Sequence, residues 1–151
     1  MPLRILRTSP DNADLTCLIA LLDAELRASN GEIQDKLDQY NLLPEEAKII
    51  VAYIDDTPVG CGSFKVFDGN TVEIKRMFVH KEHRSTGIAT AIVAELEQWA
   101  RELGYTHAVL ETGTRLHGAV KLYTRVGYNV RAQYEQYIDM EGSVCMEKAL
   151  S

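Results

Sequence analysis

Cysteine is scarce in this chain, and the three present, Cys17, Cys61 and Cys145, are widely spaced and odd in number. No disulfide framework and no Cys-x-x-Cys redox or metal pair is on offer, which leaves reduced, mostly buried small side chains. Proline and glycine are thin too, with 4 and 10 among 151 residues and no cluster that would read as a linker. Internal repeats and low-complexity tracts are absent, so a single domain over residues 1–151 is expected. No apolar run approaches the roughly 20 residues that a membrane-spanning helix needs. The opening Met1-Pro2-Leu3-Arg4-Ile5 has neither the apolar stretch nor the cleavage site of a signal peptide. A cytoplasmic protein with no membrane partner is the expectation. Positive charge is outnumbered, 16 Lys and Arg against 22 Asp and Glu, for a net charge of -6. That argues against a nucleic-acid partner, which calls for a basic patch or stripe.

What is present is a close alternation of strand and helix patterns. Leu3 to Arg7 reads as a strand, and Ser9-Pro10-Asp11 as a helix start with Ser9 as cap. Leu15, Leu18, Ile19, Leu22 and Leu26 then form one apolar face, ended by Asn30-Gly31. A second, shorter helix is expected over Glu32 to Tyr40. Strands follow at Lys48 to Ile54, Val59 to Phe67 and Thr71 to Val79, the last two joined by the hairpin signal Asp68-Gly69-Asn70. Ile88, Ile92, Leu96, Trp99 and Leu103 step at helical spacing up to Gly104. A short strand at His107 to Glu111, a helix from Leu116 to Val126, and strands near Tyr128 to Tyr134 and Val144 to Lys148 complete the chain. The order is β-α-α-β-β-β-α-β-α-β-β. The fold class is therefore α/β: a mixed, mostly antiparallel sheet with helices on both faces, and a parallel right-handed crossover from Thr71 to Glu111.

The segment Val79 to Thr90 lies between a strand and a strong helix and contains Arg84-x-x-Gly87-x-Ala89. A helix N-terminus presents unpaired N–H groups and partial positive charge, which together bind anions. Gly87 and Ala89 are small where a phosphate would approach the backbone, and Arg84 adds charge. No Gly-Lys-Ser/Thr follows, so this is not a P-loop, and it lacks the third small residue and acidic partner of a dinucleotide fingerprint. By itself the segment is an anion site or a plain tight turn.

Together with a second motif, Ala119-x-x-x-Tyr123-x-x-x-Gly127-Tyr128, the chain resembles the GNAT superfamily of N-acetyltransferases. The resemblance in element order spans nearly the whole chain, and the motifs cover about residues 72 to 128. It implies acetyl-CoA as acetyl donor, with pantetheine pairing to the backbone of Met77, Phe78 and Val79 in a gap between that strand and the one near Val109. Pyrophosphate would fall on the N–H groups of Ser85, Thr86, Gly87, Ile88, Ala89 and Thr90, beside Arg84. The family often has an Asn where this chain has Leu116, which removes one side-chain contact to the pantetheine. Family members are frequently dimers, so a homodimer is compatible with the resemblance, though the sequence marks no interface.

The implied chemistry is transfer of an acetyl group to the primary amine of a small molecule or peptide. Tyr123 is the candidate catalytic donor of a proton to the leaving thiolate, against the alternative of a core tyrosine on an amphipathic helix. Glu73, fourteen residues before Gly87, is the candidate catalytic base, against the alternatives of an ion-pair partner for Lys75 or an ordered water as base. An N–H near Val79 would polarise the thioester carbonyl. His80 and His83 form no convincing metal pair, and no metal is expected. Lys75, Arg76, Glu111, Arg115, Tyr134 and Tyr137 are weaker candidates for acceptor contacts. A non-catalytic acetyl-CoA sensor of the same fold, or a site for another phosphate ligand, are the competing readings.

Overall fold

The computed structural model describes residues 2–31, 42–114 and 118–150. In chain order the elements are β1 (Leu3–Thr8), α1 (Ala13–Asn30), β2 (Lys48–Ile54), β3 (Thr57–Val66), β4 (Thr71–Val79), α2 (Ile88–Glu102), β5 (His107–Gly113), α3 (Ala119–Arg125), β6 (Asn129–Arg131) and β7 (Ser143–Ala149). The expected helix over Glu32 to Tyr40, and Arg115 and Leu116, lie outside the described residues. Seven strands form one sheet in the order β1-β2-β3-β4-β5-β7-β6. All neighbours are antiparallel except β4 and β5. Among the described residues no helix is long and apolar enough to cross a membrane.

The alternation of side chains along a strand divides the core in two. From β2, Ile50 and Ala52 pack with Ile92, Val93 and Leu96 of α2. Ile49, Val51 and Tyr53 of the same strand pack with Leu15, Leu18 and Leu22 of α1 on the opposite face. That double burial is why β2 reads as an almost unbroken apolar run. α3 joins the α2 layer through Tyr123 and Leu122.

Local differences from the sequence expectation have physical causes. α1 begins later than Ser9, with Asn12 as cap accepting from the Leu15 N–H at 3.0 Å. Asn is as good a cap as Ser, and the Ser9 carbonyl instead closes a turn with the Asn12 N–H. β6 is only three residues long. Beyond it Gln133 donates to the carbonyls of Met140 and Ser143, both at 2.9 Å, folding residues 133–143 into a compact loop that leaves the sheet. Of the cysteines, Cys61 and Cys145 are buried, whereas Cys17 is exposed on α1.

The functional geometry originates in β4. It pairs with β5 only from Thr71 to Ile74. Opposite β3, Cys61 faces Phe78 and Ser63 faces Lys75, so Arg76 and Met77 together oppose the single Gly62. That bulge carries a left-handed Arg76 at φ 58° and bends the strand. Its carbonyls are held by the Ser63 hydroxyl, 2.6 Å from the Lys75 oxygen, and by the Cys61 thiol. The Arg76 guanidinium, almost wholly buried, pairs with Asp23 of α1. The strands thus part after Ile74, as the resemblance implied.

Candidate functional site

A groove of about 770 Å³ follows the fork between the free half of β4, the start of α2, and α3. Its walls bring together Tyr123 and all but one of the residues singled out from sequence for cofactor binding. Met77, Phe78 and Val79 come from β4, and Arg84, Ser85, Gly87, Ile88, Ala89 and Thr90 from the turn and first helical residues. Tyr123 lines it from α3. Thr86 is not on the lining; its hydroxyl donates to the His83 carbonyl at 2.5 Å and so braces the turn.

The turn has the backbone geometry of an anion cradle. Ser85 and Gly87 both have positive φ, 64° and 87°, and successive N–H groups in such alternating conformations converge on one concavity. The first helical bond runs from the Ala91 N–H to the Gly87 carbonyl. The N–H groups of Ile88, Ala89 and Thr90 therefore project from the end of α2 as unpaired donors. Arg84 acts differently from a free phosphate ligand. Its Nε donates to the Val79 carbonyl at 2.8 Å, and its Nη2 pairs with Glu25 of α1 at 2.6 Å. With the guanidinium also over the Phe78 ring, Arg84 ties the turn to both β4 and α1.

Sequence reasoning missed part of the wall. Leu22, Glu25, Leu26 and Ser29 bring α1 to the groove, and Lys121 and Arg125 flank Tyr123 on α3. The basic pair at i and i+4 was the available signal for the latter, since both sit one turn from each other on one face. The α1 residues gave no signal beyond an apolar stripe.

Tyr123 is buried, and that burial pushes its hydroxyl well above the ordinary phenol range. It therefore stays a protonated donor at physiological pH. Its ring meets Tyr128 edge to face, with centroids 5.8 Å apart.

Glu73 lies elsewhere, on the α1 face of the sheet, in the last paired stretch before the fork, and it does not line the groove. It is 1% exposed. Tyr134 donates to its Oε2 at 2.8 Å, with Lys75 3.9 Å and Lys65 3.7 Å from its carboxylate. Its Oε1 is a buried side-chain oxygen with no hydrogen-bond partner among the described residues. Around it, Lys75 reaches the Tyr137 hydroxyl at 3.4 Å, and Ser143 donates to Glu111 at 2.7 Å. Burial lowers the Lys75 ammonium and raises the Glu111 carboxyl. The weak acceptor-contact candidates Lys75, Glu111, Tyr134 and Tyr137 are thus one cluster around Glu73, whereas Arg76 turns away to Asp23.

Comparison with known proteins agrees with this geometry. The family model described as the Acetyltransferase (GNAT) family matches residues 16–128. An IAA acetyltransferase of Azospirillum brasilense is 32% identical over 148 residues, covering 97% of both chains. The solved structure of a Klebsiella pneumoniae protein assigned as an acyl-CoA N-acyltransferase is 32% identical, with a TM-score of 0.83 over 99% of this chain and 98% of that one. The PaiA N-acetyltransferase of Thermoplasma acidophilum, solved with coenzyme A, shares the fold at a TM-score of 0.74 and 19% identity, over 99% of each chain. With that family model spanning residues 16–128 and a relative 32% identical along 97% of both chains, the chain belongs to the GNAT family of acetyltransferases.

Proposed function

We propose that this protein transfers an acetyl group from acetyl-CoA to the primary amine of a small molecule or peptide, by direct attack. The observation that carries the reading is the fork itself: a strand edge that, among the described residues, has no partner on the β5 side from Lys75 onward, leading into the cradle of Ser85 and Gly87. A chain of amide groups followed by a pyrophosphate fits such a surface, because the first needs backbone donors and acceptors and the second needs clustered N–H groups. Lys121 and Arg125 add positive charge along the same groove.

When bound, acetyl-CoA supplies an activated acyl carbon and a thiolate leaving group. The protein's own residues divide the remaining work. The β4 edge from Met77 to Val79 holds the pantetheine arm, and a backbone N–H there polarises the thioester carbonyl. Tyr123 holds a proton at the groove wall and gives it to the sulfur as negative charge develops there. Glu73 does not line the groove, but its buried Oε1 has no hydrogen-bond partner among the described residues, and it takes up, through an ordered water, the proton that the acceptor amine must lose. Lys65 and Lys75 stand 3.7 Å and 3.9 Å from that carboxylate.

Ligand-induced thermal stabilisation tests the cofactor. Acetyl-CoA and CoA are expected to raise the melting temperature and ATP is not; stabilisation by ATP alone would overturn the reading. A panel of amines and amino acids, followed by release of free CoA, then identifies the acceptor. CoA binding without release for any amine would favour the sensor reading.

A further inference from the structure

Behind Tyr123, on the side away from the groove, lies a buried polar network that the proposed reaction does not use. Glu97 projects from the middle of α2 and is 5% exposed. Its Oε2 accepts from the Tyr128 hydroxyl at 3.0 Å, and its Oε1 accepts from Lys148 of β7 at 2.8 Å. Arg101 stands 3.7 Å from the same oxygen. Lys148 also donates to the Val126 carbonyl at 2.8 Å, at the C-terminal end of α3. A buried carboxylate with this many donors is a fixed point, because losing any of them would leave charge without compensation.

The helix that needs such a fixed point is α3. It has seven residues, begins after the left-handed Gly118 with no side-chain cap, and is far too short to be stable alone. Its direction, and with it the direction of Tyr123, must come from tertiary contacts. The network supplies them at one end: Lys148 holds the Val126 carbonyl, the Tyr128 N–H bonds the Tyr123 carbonyl at 2.9 Å, and the Tyr128 ring abuts the Tyr123 ring. The same α2 that carries Glu97 also starts at Gly87, at the anion cradle. Ten residues of helix separate the two, a rigid span of about 15 Å.

We propose that the Tyr128–Glu97–Lys148 network is the positioning device for Tyr123, with α2 as the ruler that fixes the Tyr123 hydroxyl relative to the pyrophosphate cradle. None of the three touches the groove; they act through the Tyr123 ring and the end of α3. The inference rests on the reading of Tyr123 as proton donor.

The test is a double-mutant cycle between Tyr123→Phe and Tyr128→Phe, with Glu97→Gln as a milder variant. Tyr128→Phe keeps the ring against Tyr123 and removes only the anchoring hydroxyl. It is expected to lower kcat by about tenfold, since small misplacements of a reacting group are costly, with the KM for acetyl-CoA unchanged. In the Tyr123→Phe background the same change is expected to cost nothing further in kcat, since there is no longer a hydroxyl to position. Glu97→Gln still accepts from Tyr128 but loses the charge that pairs with Lys148, and is expected to lower kcat in the same direction by a smaller factor. Assays are run well below each variant's melting temperature, with circular dichroism confirming the fold. An unchanged kcat in folded Tyr128→Phe, or equal losses in both backgrounds, would overturn the network's role while leaving Tyr123 in place. An unchanged kcat in Tyr123→Phe would remove the proton-donor reading itself, and the positioning inference with it.

Discussion

From Thr71 to Ile74, β4 is sealed against β5, while from Lys75 to Val79 the same strand runs on without a partner on that side among the described residues. The two halves carry the two candidate catalytic regions, and they are built by opposite means. The open half is a backbone site: a free strand edge, a positive-φ turn and a helix end. The closed half is a side-chain site, where Glu73, Lys75, Tyr134 and Tyr137 are buried together beside the half-buried Glu111, and the Glu73 Oε1 has no hydrogen-bond partner among the described residues. Backbone sites tolerate varied side chains, so one groove geometry serves many sequences with a common cofactor. Side-chain clusters depend on which residues each chain supplies, and that is where acceptor choice is expected to reside.

The largest predicted effect lies on the open side. Tyr123→Phe is expected to lower kcat by about 100-fold while calorimetry shows acetyl-CoA affinity unchanged. On the closed side, Glu73→Gln preserves shape and can still accept from Tyr134, but it offers no basic oxygen. A fall in kcat of about tenfold is expected, smaller because water can partly replace a general base. If both variants instead weakened acetyl-CoA binding equally, the division of β4 into a cofactor half and an acceptor half would be wrong.

How much of this was readable in the sequence follows the same division. The groove was legible, because Gly87, Ala89 and the Ala119–Tyr123–Gly127 spacing sit at fixed offsets within or beside single elements. Glu73 was legible as a position but not as an environment. Its partner Tyr134 is 61 residues away, in a loop folded by Gln133, and no local pattern encodes such a contact. Arg84 illustrates the limit from the other side: its type and spacing suggested a phosphate ligand, but Glu25 of α1 and the Val79 carbonyl engage it. The bulge at Arg76 was also invisible, since it depends on Gly62 opposite, where an added Cβ would lie 2.4 Å from the Met77 sulfur.

Gly87→Ala tests whether the open side works through backbone conformation. A Cβ at Gly87 would meet no atom within 4 Å, so any effect comes from its φ of 87° and not from a clash. An L-residue in the left-handed region costs about 1–2 kcal/mol. Acetyl-CoA affinity is expected to fall by about three- to tenfold as the turn relaxes, with kcat at saturation nearly unchanged. Loss of kcat without loss of affinity would mean that the turn shapes the reacting end and not the cradle.

Glu111 gives the smallest effect and probes the closed side alone. Its carboxyl accepts from Ser143 and faces Lys75, Glu73 and Tyr137, and burial holds it above its ordinary value of 4.5. A raised carboxyl contributes its full stability below the unfolded value, where both states are neutral. That contribution is lost as pH rises through the folded value, because the buried group must then ionise. Glu111→Gln mimics the neutral acid at every pH. It is expected to melt with the wild type at pH 4 and about 2 °C higher at pH 8. The gain stays small because Lys75, itself lowered by burial, is favoured by the Glu111 charge. A lower melting temperature at pH 8 would mean that this attraction outweighs the cost of burial. The closed cluster would then be held by its charges.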